Sequence, residues 1–112
     1  MYNIATSIIL NNYGVNNPQE QEFILHQNSP NPFVHNTKIQ YSIPLESTVS
    51  LKIYNIRGEL IVDLVNEFKD KGSYDIVWDG RDKNGNRVVN GIYFYKFISG
   101  DSEIIKRMIL LR

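Results

Sequence analysis

The feature that most constrains this chain is a repeated period-two alternation of apolar and polar residues. It is cut at short intervals by glycine, proline and asparagine. Residues 37–43 (TKIQYSI) place Ile39, Tyr41 and Ile43 on one side and Lys38, Gln40 and Ser42 on the other, the pattern of a half-buried strand. Pro44 ends the run, because proline cannot donate to a ladder. Residues 48–56 repeat the alternation with Val49, Leu51 and Ile53 on one face. Arg57-Gly58 then marks a tight turn, and 59–65 reads as the hairpin partner. The β-branched content and glycine flank of 59–69 favour strand over helix. Residues 73–78 align Tyr74, Ile76 and Trp78, and Asp79 to Asn86 form a polar loop holding Asn84-Gly85, a pair that tolerates positive φ. A brief run at Arg87 to Val89, a strand at 92–98 and a turn at Ser99-Gly100-Asp101 lead to a last strand at 103–111. With a short apolar run at 22–26, about seven strands at spacings of about 8–12 residues predict an all-β antiparallel β-sandwich, a barrel being the other closed solution.

The chain has 112 residues, one domain's worth, and 42% of them are hydrophobic, enough for a real core. Twelve basic residues balance twelve acidic ones, so there is no field for phosphate and nucleic acid is not an expected partner. The absence of cysteine excludes disulfide scaffolds, thiolate zinc sites and thiol catalysis. No apolar run is long enough to span a membrane. The patch Ile8 to Leu10 lacks the basic flank and length of a signal peptide, so an export signal would lie upstream and the chain reads as the tail of a longer protein. Residues 11–22 (NNYGVNNPQEQE) offer little to bury and read as a solvated linker, with a short strand at 3–10 as the remnant of a preceding domain. The expected division is therefore 1–22, linker or remnant, and 23–112, sandwich.

Candidate chemistry is sparse. His26 and His35 flank the proline stretch QNSPNPF, but no third ligand is spaced to complete a metal site. The loop DGRDKNGN (79–86) has calcium-like composition, yet neither Asp79 nor Asp82 puts glycine at the sixth position that an EF-hand loop needs. A hairpin loop whose Asp and Asn side chains cap their own backbone is the simpler reading. No nucleophile elbow, phosphate-binding loop, zinc-protease or dinucleotide motif occurs. The expectation is a non-enzyme with no metal, no cofactor and no catalytic residue.

Two strands carry more apolar surface than a sandwich face requires. Tyr93, Tyr95 and Phe97 alternate with Ile92, Phe94 and Ile98, which reads either as a central strand covered on both sides or as a stripe that docks a partner. In the last strand, Lys106 shares a face with Ile104, Met108 and Leu110, and Arg107 shares the other with Ile105, Ile109 and Leu111. Basic residues inside an apolar strand suit an edge strand protected from uncontrolled pairing, or a displayed strand that a partner pairs with. Unpaired edges also favour dimers. Trp78, in phase with Tyr74 and Ile76, is expected in the core.

Six segments together resemble a known family. They are LHQNSPNPF at Leu25 to Phe33, YSIP at Tyr41 to Pro44, LKIYNIRGE at Leu51 to Glu59, GSYDIVWDGRDKNG at Gly72 to Gly85, GIYFYKF at Gly91 to Phe97 and KRMILLR at Lys106 to Arg112. In this order and spacing they resemble the type A C-terminal sorting domain of the type IX secretion system, and are similar to the Ig-like domain of flagellar hook-capping proteins. The resemblance runs from Leu25 to Arg112. It departs after Phe33, where the family often continues with Asn-Pro-Ser-Thr and this chain has Val34-His35-Asn36-Thr37.

The resemblance implies an Ig-like or fibronectin-like sandwich that acts as an address. An upstream cargo domain in the same chain would cross the inner membrane by an ordinary signal peptide. The sorting domain would then direct it through the outer-membrane translocon to the cell surface or medium. A sortase would cleave upstream in many members and attach the cargo to the surface. The family's signal maps here to Gly91, Ile92 and Tyr93 and to Lys106, Arg107, Met108, Ile109, Leu110, Leu111 and Arg112; its proline turn maps to Pro30, Asn31 and Pro32. Gly91 and Tyr93 carry an alternative role: backbone geometry for the glycine, and a corner-tyrosine hydroxyl bonded to backbone for the tyrosine. A structural Ig-like module of a surface or hook-capping protein is the alternative function. A glycan- or protein-binding module is a third, with Tyr54 and Phe94 as its exposed aromatics.

Overall fold

The computed structural model describes residues 22–112, so the linker and the short strand expected at 3–10 lie outside the described residues, Glu22 apart. Seven strands follow: β1 (Ile24–Leu25), β2 (Thr37–Ile43), β3 (Ser47–Asn55), β4 (Leu60–Lys69), β5 (Gly72–Trp78), β6 (Gly91–Ser99) and β7 (Ser102–Leu110). They form a three-stranded sheet in the order β1-β2-β5 and a four-stranded sheet in the order β4-β3-β6-β7. All strand pairings are antiparallel. The fold is the expected all-β sandwich.

The alternation decides which residues meet between the sheets. Ile39, Tyr41 and Ile43 of β2 face Val49, Leu51 and Ile53 of β3 and Tyr93, Tyr95 and Phe97 of β6 across one core. Trp78 closes one end, its ring 5.6 Å from Phe33 and 5.4 Å from Tyr93. Tyr74 and Ile76, expected to share its burial, are only half-buried, because β5 is an edge strand with neighbours on one side. The strand expected at 59–65 runs on to Lys69, with register shifts against β3 between Leu51 and Lys52 and between Ile53 and Tyr54. Such bulges bend a strand and increase its twist, and Val65 is the one residue of β4 that is buried. The run at Arg87 to Val89 contributes a single bridge, Arg81 to Arg87, that closes the polar loop.

The proline stretch is a built element. Ser29-Pro30 and Asn31-Pro32 are both cis. Asn28, nearly inaccessible at 3% exposure, donates from Nδ2 to Thr37 Oγ1 (2.9 Å) and to the Pro30 carbonyl (3.2 Å). Its backbone N–H donates to Tyr95 Oη at 2.9 Å, and that hydroxyl donates in turn to the His26 carbonyl at 2.8 Å. One phenol thus satisfies two backbone groups, the buried N–H of Asn28 and the partly buried carbonyl of His26. Tyr95→Phe should therefore cost about 1–3 kcal/mol, the range for an orphaned buried partner, read as a lowered midpoint in urea unfolding. A midpoint equal to that of the parent would show that water replaces the hydroxyl there.

Candidate functional site

β6 and β7 form a hairpin closed between Ser99 and Ser102, with β7 at the edge of the four-stranded sheet. Alternation sorts the predicted residues into two groups. Tyr93, Met108 and Leu110 point inward and are buried, the last two with no exposure at all. Lys106 is on that inner face and half-buried; Arg107 is on the outer face and exposed. On the outer face beside it are Ile105 (51% exposed), Ile92 (41% exposed) and the half-buried Ile109. The adjacent basic pair is thus divided between two faces of one strand.

Gly91 and Tyr93 have structural assignments. Gly91 opens β6 at φ 151, a conformation that L side chains rarely adopt, although a Cβ there would meet nothing within 4 Å. Tyr93 donates its hydroxyl to the Val89 carbonyl at 2.6 Å, the corner geometry. Burial raises its pKa, while the Arg112 guanidinium draws it down. Arg112 also holds the loop ahead of β6: its Nη1 donates to the Val88 carbonyl (2.7 Å) and its Nη2 to the Gly80 carbonyl (3.3 Å). Its backbone N–H donates to Asn90 Oδ1 (3.0 Å), and Asn90 Nδ2 donates back to the Arg112 carbonyl (3.1 Å).

The proline turn lies against the end of β7. Phe33 N–H donates to the Ile109 carbonyl (3.0 Å), and Leu111 N–H donates to the Phe33 carbonyl (2.9 Å). Ile109 N–H donates to Asn31 Oδ1 (2.9 Å), and Gln27 Nε2 donates to the Arg107 carbonyl (2.7 Å). Asn31 therefore meets the predicted basic–apolar strand directly, whereas no hydrogen bond joins Pro30 or Pro32 to it. Sequence reasoning placed both segments in the site without seeing that one caps the other. It missed Gln27 and Asn28, which no periodicity marks.

A second feature lies on the outer face, where Tyr54 and Phe94, expected as exposed aromatics, are half-buried. Tyr54 and Phe94 are directly opposite across β3 and β6, and an open groove there is lined by Tyr54, Ile56, Phe94, Lys96 and Ile105. Lys96 Nζ sits 5.3 Å from the Tyr54 ring centroid, a cation–π distance. Ile56 and Val89, 72% and 78% exposed, extend the apolar surface at the same end of the sandwich.

In the polar loop, Asp82 Oδ1 accepts from the N–H groups of Asn84 and Asn86, each at 2.9 Å. Gly85 takes φ 83. The carboxylate is thus turned onto its own backbone. Among the described residues no group of three or more His, Cys, Asp or Glu is placed to hold a metal ion, so His26 and His35 gain no third ligand.

Two antiparallel sheets, a corner tyrosine and a core tryptophan define an Ig-like sandwich domain. The profile of the FlgD Ig-like domain matches residues 34–100, and the chain belongs to that family. Among solved structures it is similar to dimeric latent PorU from Porphyromonas gingivalis, at 19% identity over 81% of this chain and 10% of that one, with a TM-score of 0.64. It is similar to PorZ of the same organism, an essential bacterial surface component of its type IX secretion system, at 21% identity, 80% and 11% coverage and a TM-score of 0.54. FlgD from P. aeruginosa matches at 22% identity, 66% and 58% coverage and a TM-score of 0.52. The chain spans about a tenth of the first two proteins. These likenesses establish a shared fold. No curated protein sequence matches the chain.

Proposed function

We propose that this domain is a non-catalytic address of the type IX secretion system. It would direct an upstream cargo through the outer-membrane translocon to the cell surface or medium, with a sortase cutting in the 1–22 segment. The observation that carries this reading is the division of labour in the β6–β7 hairpin. Tyr93, Met108, Leu110 and Arg112 are committed to the fold, while Ile92, Ile105 and Arg107 form an exposed apolar–basic strip on the outer face. The ordered motifs of the sorting domain and the fold shared with PorZ support the assignment.

The test uses the full chain fused behind a signal peptide and a reporter, in a bacterium with a working type IX system. Arg107→Glu, and separately Ile92→Ser with Ile105→Ser, change the strip and spare the core. Reporter in the medium should fall roughly tenfold or more, as expected when over 1.4 kcal/mol of partner binding is lost. Export at the parent level from folded variants would remove this strip from the address. The family match to the FlgD Ig-like domain favours a second reading, a structural module of a surface or hook-capping protein. Retention of the intact, folded fusion in the periplasm would favour that one.

A further inference from the structure

We propose that the free edge of β7 pairs with the same edge of a second copy, antiparallel and centred on Ile105, joining two four-stranded sheets into one. This inference stands whether or not the domain is a secretion address.

The open stretch of edge is short and defined. In the β6–β7 ladder Ser99 is opposite Ser102 across a two-residue turn, so even-numbered residues of β7 point their backbone groups at β6 and odd-numbered ones point away. The proline stretch occupies the far end of that outward row, at the Arg107 carbonyl, both groups of Ile109 and the N–H of Leu111. Among the described residues nothing bonds the outward groups of Glu103 and Ile105 or the N–H of Arg107. The edge is therefore open from Glu103 to the N–H of Arg107 and closed from the Arg107 carbonyl onward. A row of this kind is a template for another strand.

Its side chains choose the partner. Glu103, Ile105 and Arg107 project from the outer face and all are exposed. This triplet complements its own reverse. With two copies antiparallel about Ile105, Ile105 meets Ile105, Glu103 of each copy meets Arg107 of the other, and the three pairs lie at hydrogen-bonded positions on one face. Moving the centre to residue 103 sets glutamate against glutamate, and moving it to 107 sets arginine against arginine. Only the central register satisfies both charges, and the repeat of contacts by a two-fold axis closes the assembly at a dimer. In this register Asp101 of one copy comes opposite Ile109 of the other, where the proline stretch is bonded, so the turn at Gly100-Asp101 has to bend out of the sheet to pass it. Pairing also brings Ile105 of both copies together beside the Tyr54–Phe94 groove. An interface of five residues per copy is small, so the dimer is weak and forms at high protein concentration.

The experiment is sedimentation equilibrium of the full chain at rising concentration, using E103R, R107E and their equimolar mixture. Each single variant sets like charges opposite each other twice and should associate at least tenfold more weakly than the parent. The mixture restores both opposite-charge pairs in the same register and should recover the parent's association, which also shows that both variants are folded. Ile105→Pro removes the central N–H, which β6 does not use, so the fold should survive and self-association should be lost. A parent that stays monomeric at every concentration, single variants that associate like the parent, or a mixture no better than its components would each overturn the proposal.

Discussion

Deleting Lys106 to Arg112 is expected to abolish folding of the whole domain. The deletion removes Met108 and Leu110, both fully buried, and each such side chain is worth roughly 1.5–3 kcal/mol of burial. It also strips β6 of its partner from Gly91 to Tyr95 and frees the proline stretch from Ile109 and Leu111. The clamp of Arg112 on the loop at Gly80, Val88 and Asn90 goes with it. Together these exceed about 5 kcal/mol, the lower end of ordinary domain stability. Circular dichroism of the truncated chain should show no cooperative melting transition. A cooperative melt within a few degrees of the intact chain would contradict the assignment of β7 to the core. The consequence for secretion work is direct: loss of export on truncation reports unfolding as readily as loss of an address, so point changes on the outer face are the informative variants.

The second large effect is alkaline destabilisation. Burial pushes the Tyr41 phenol up to about 12, helped by the nearby charge of Glu67 and by Tyr74. Burial likewise pushes Tyr95 up to about 12, with the Asn28 N–H partly opposing the shift. Both groups are neutral in the fold at a pH where the unfolded chain already ionises. Their contribution is therefore complete below pH 10 and is lost as pH rises from 10 through 12. Two units per group correspond to about 2–3 kcal/mol each. Urea midpoints measured across that window should fall steeply, and less steeply in Tyr95→Phe, which lacks one of the two phenols. A midpoint unchanged between pH 10 and 12 would show that these hydroxyls ionise as freely inside the fold as outside it.

What the sequence disclosed depended on how far apart the interacting residues lie. The strands came from neighbours two apart, and Ile39, Tyr41, Ile43 and Val49, Leu51, Ile53 fall inward as the alternation predicts. The corner tyrosine was legible because Tyr93 and Val89 are four residues apart. Tyr95 was read only as one more inward aromatic, since its partners His26 and Asn28 are more than sixty residues away. The same distance hid the capping of β7 by Gln27 and Asn31. The split of Lys106 and Arg107 was legible from the alternation itself: neighbours in a strand face opposite ways, and one is half-buried and the other exposed.

The contact between Phe33 and Leu110 runs parallel, unlike every strand pairing among the described residues. It ties a point eleven residues into the described chain to a point two residues from Arg112. Traction applied between residue 22 and Arg112 acts along this contact, so the bonds from Phe33 to Ile109 and Leu111 bear load together in shear. Bonds in an antiparallel hairpin pulled from its open end would instead break in succession. The feature that completes the edge of a sheet is thus also the place where a tugged domain would resist.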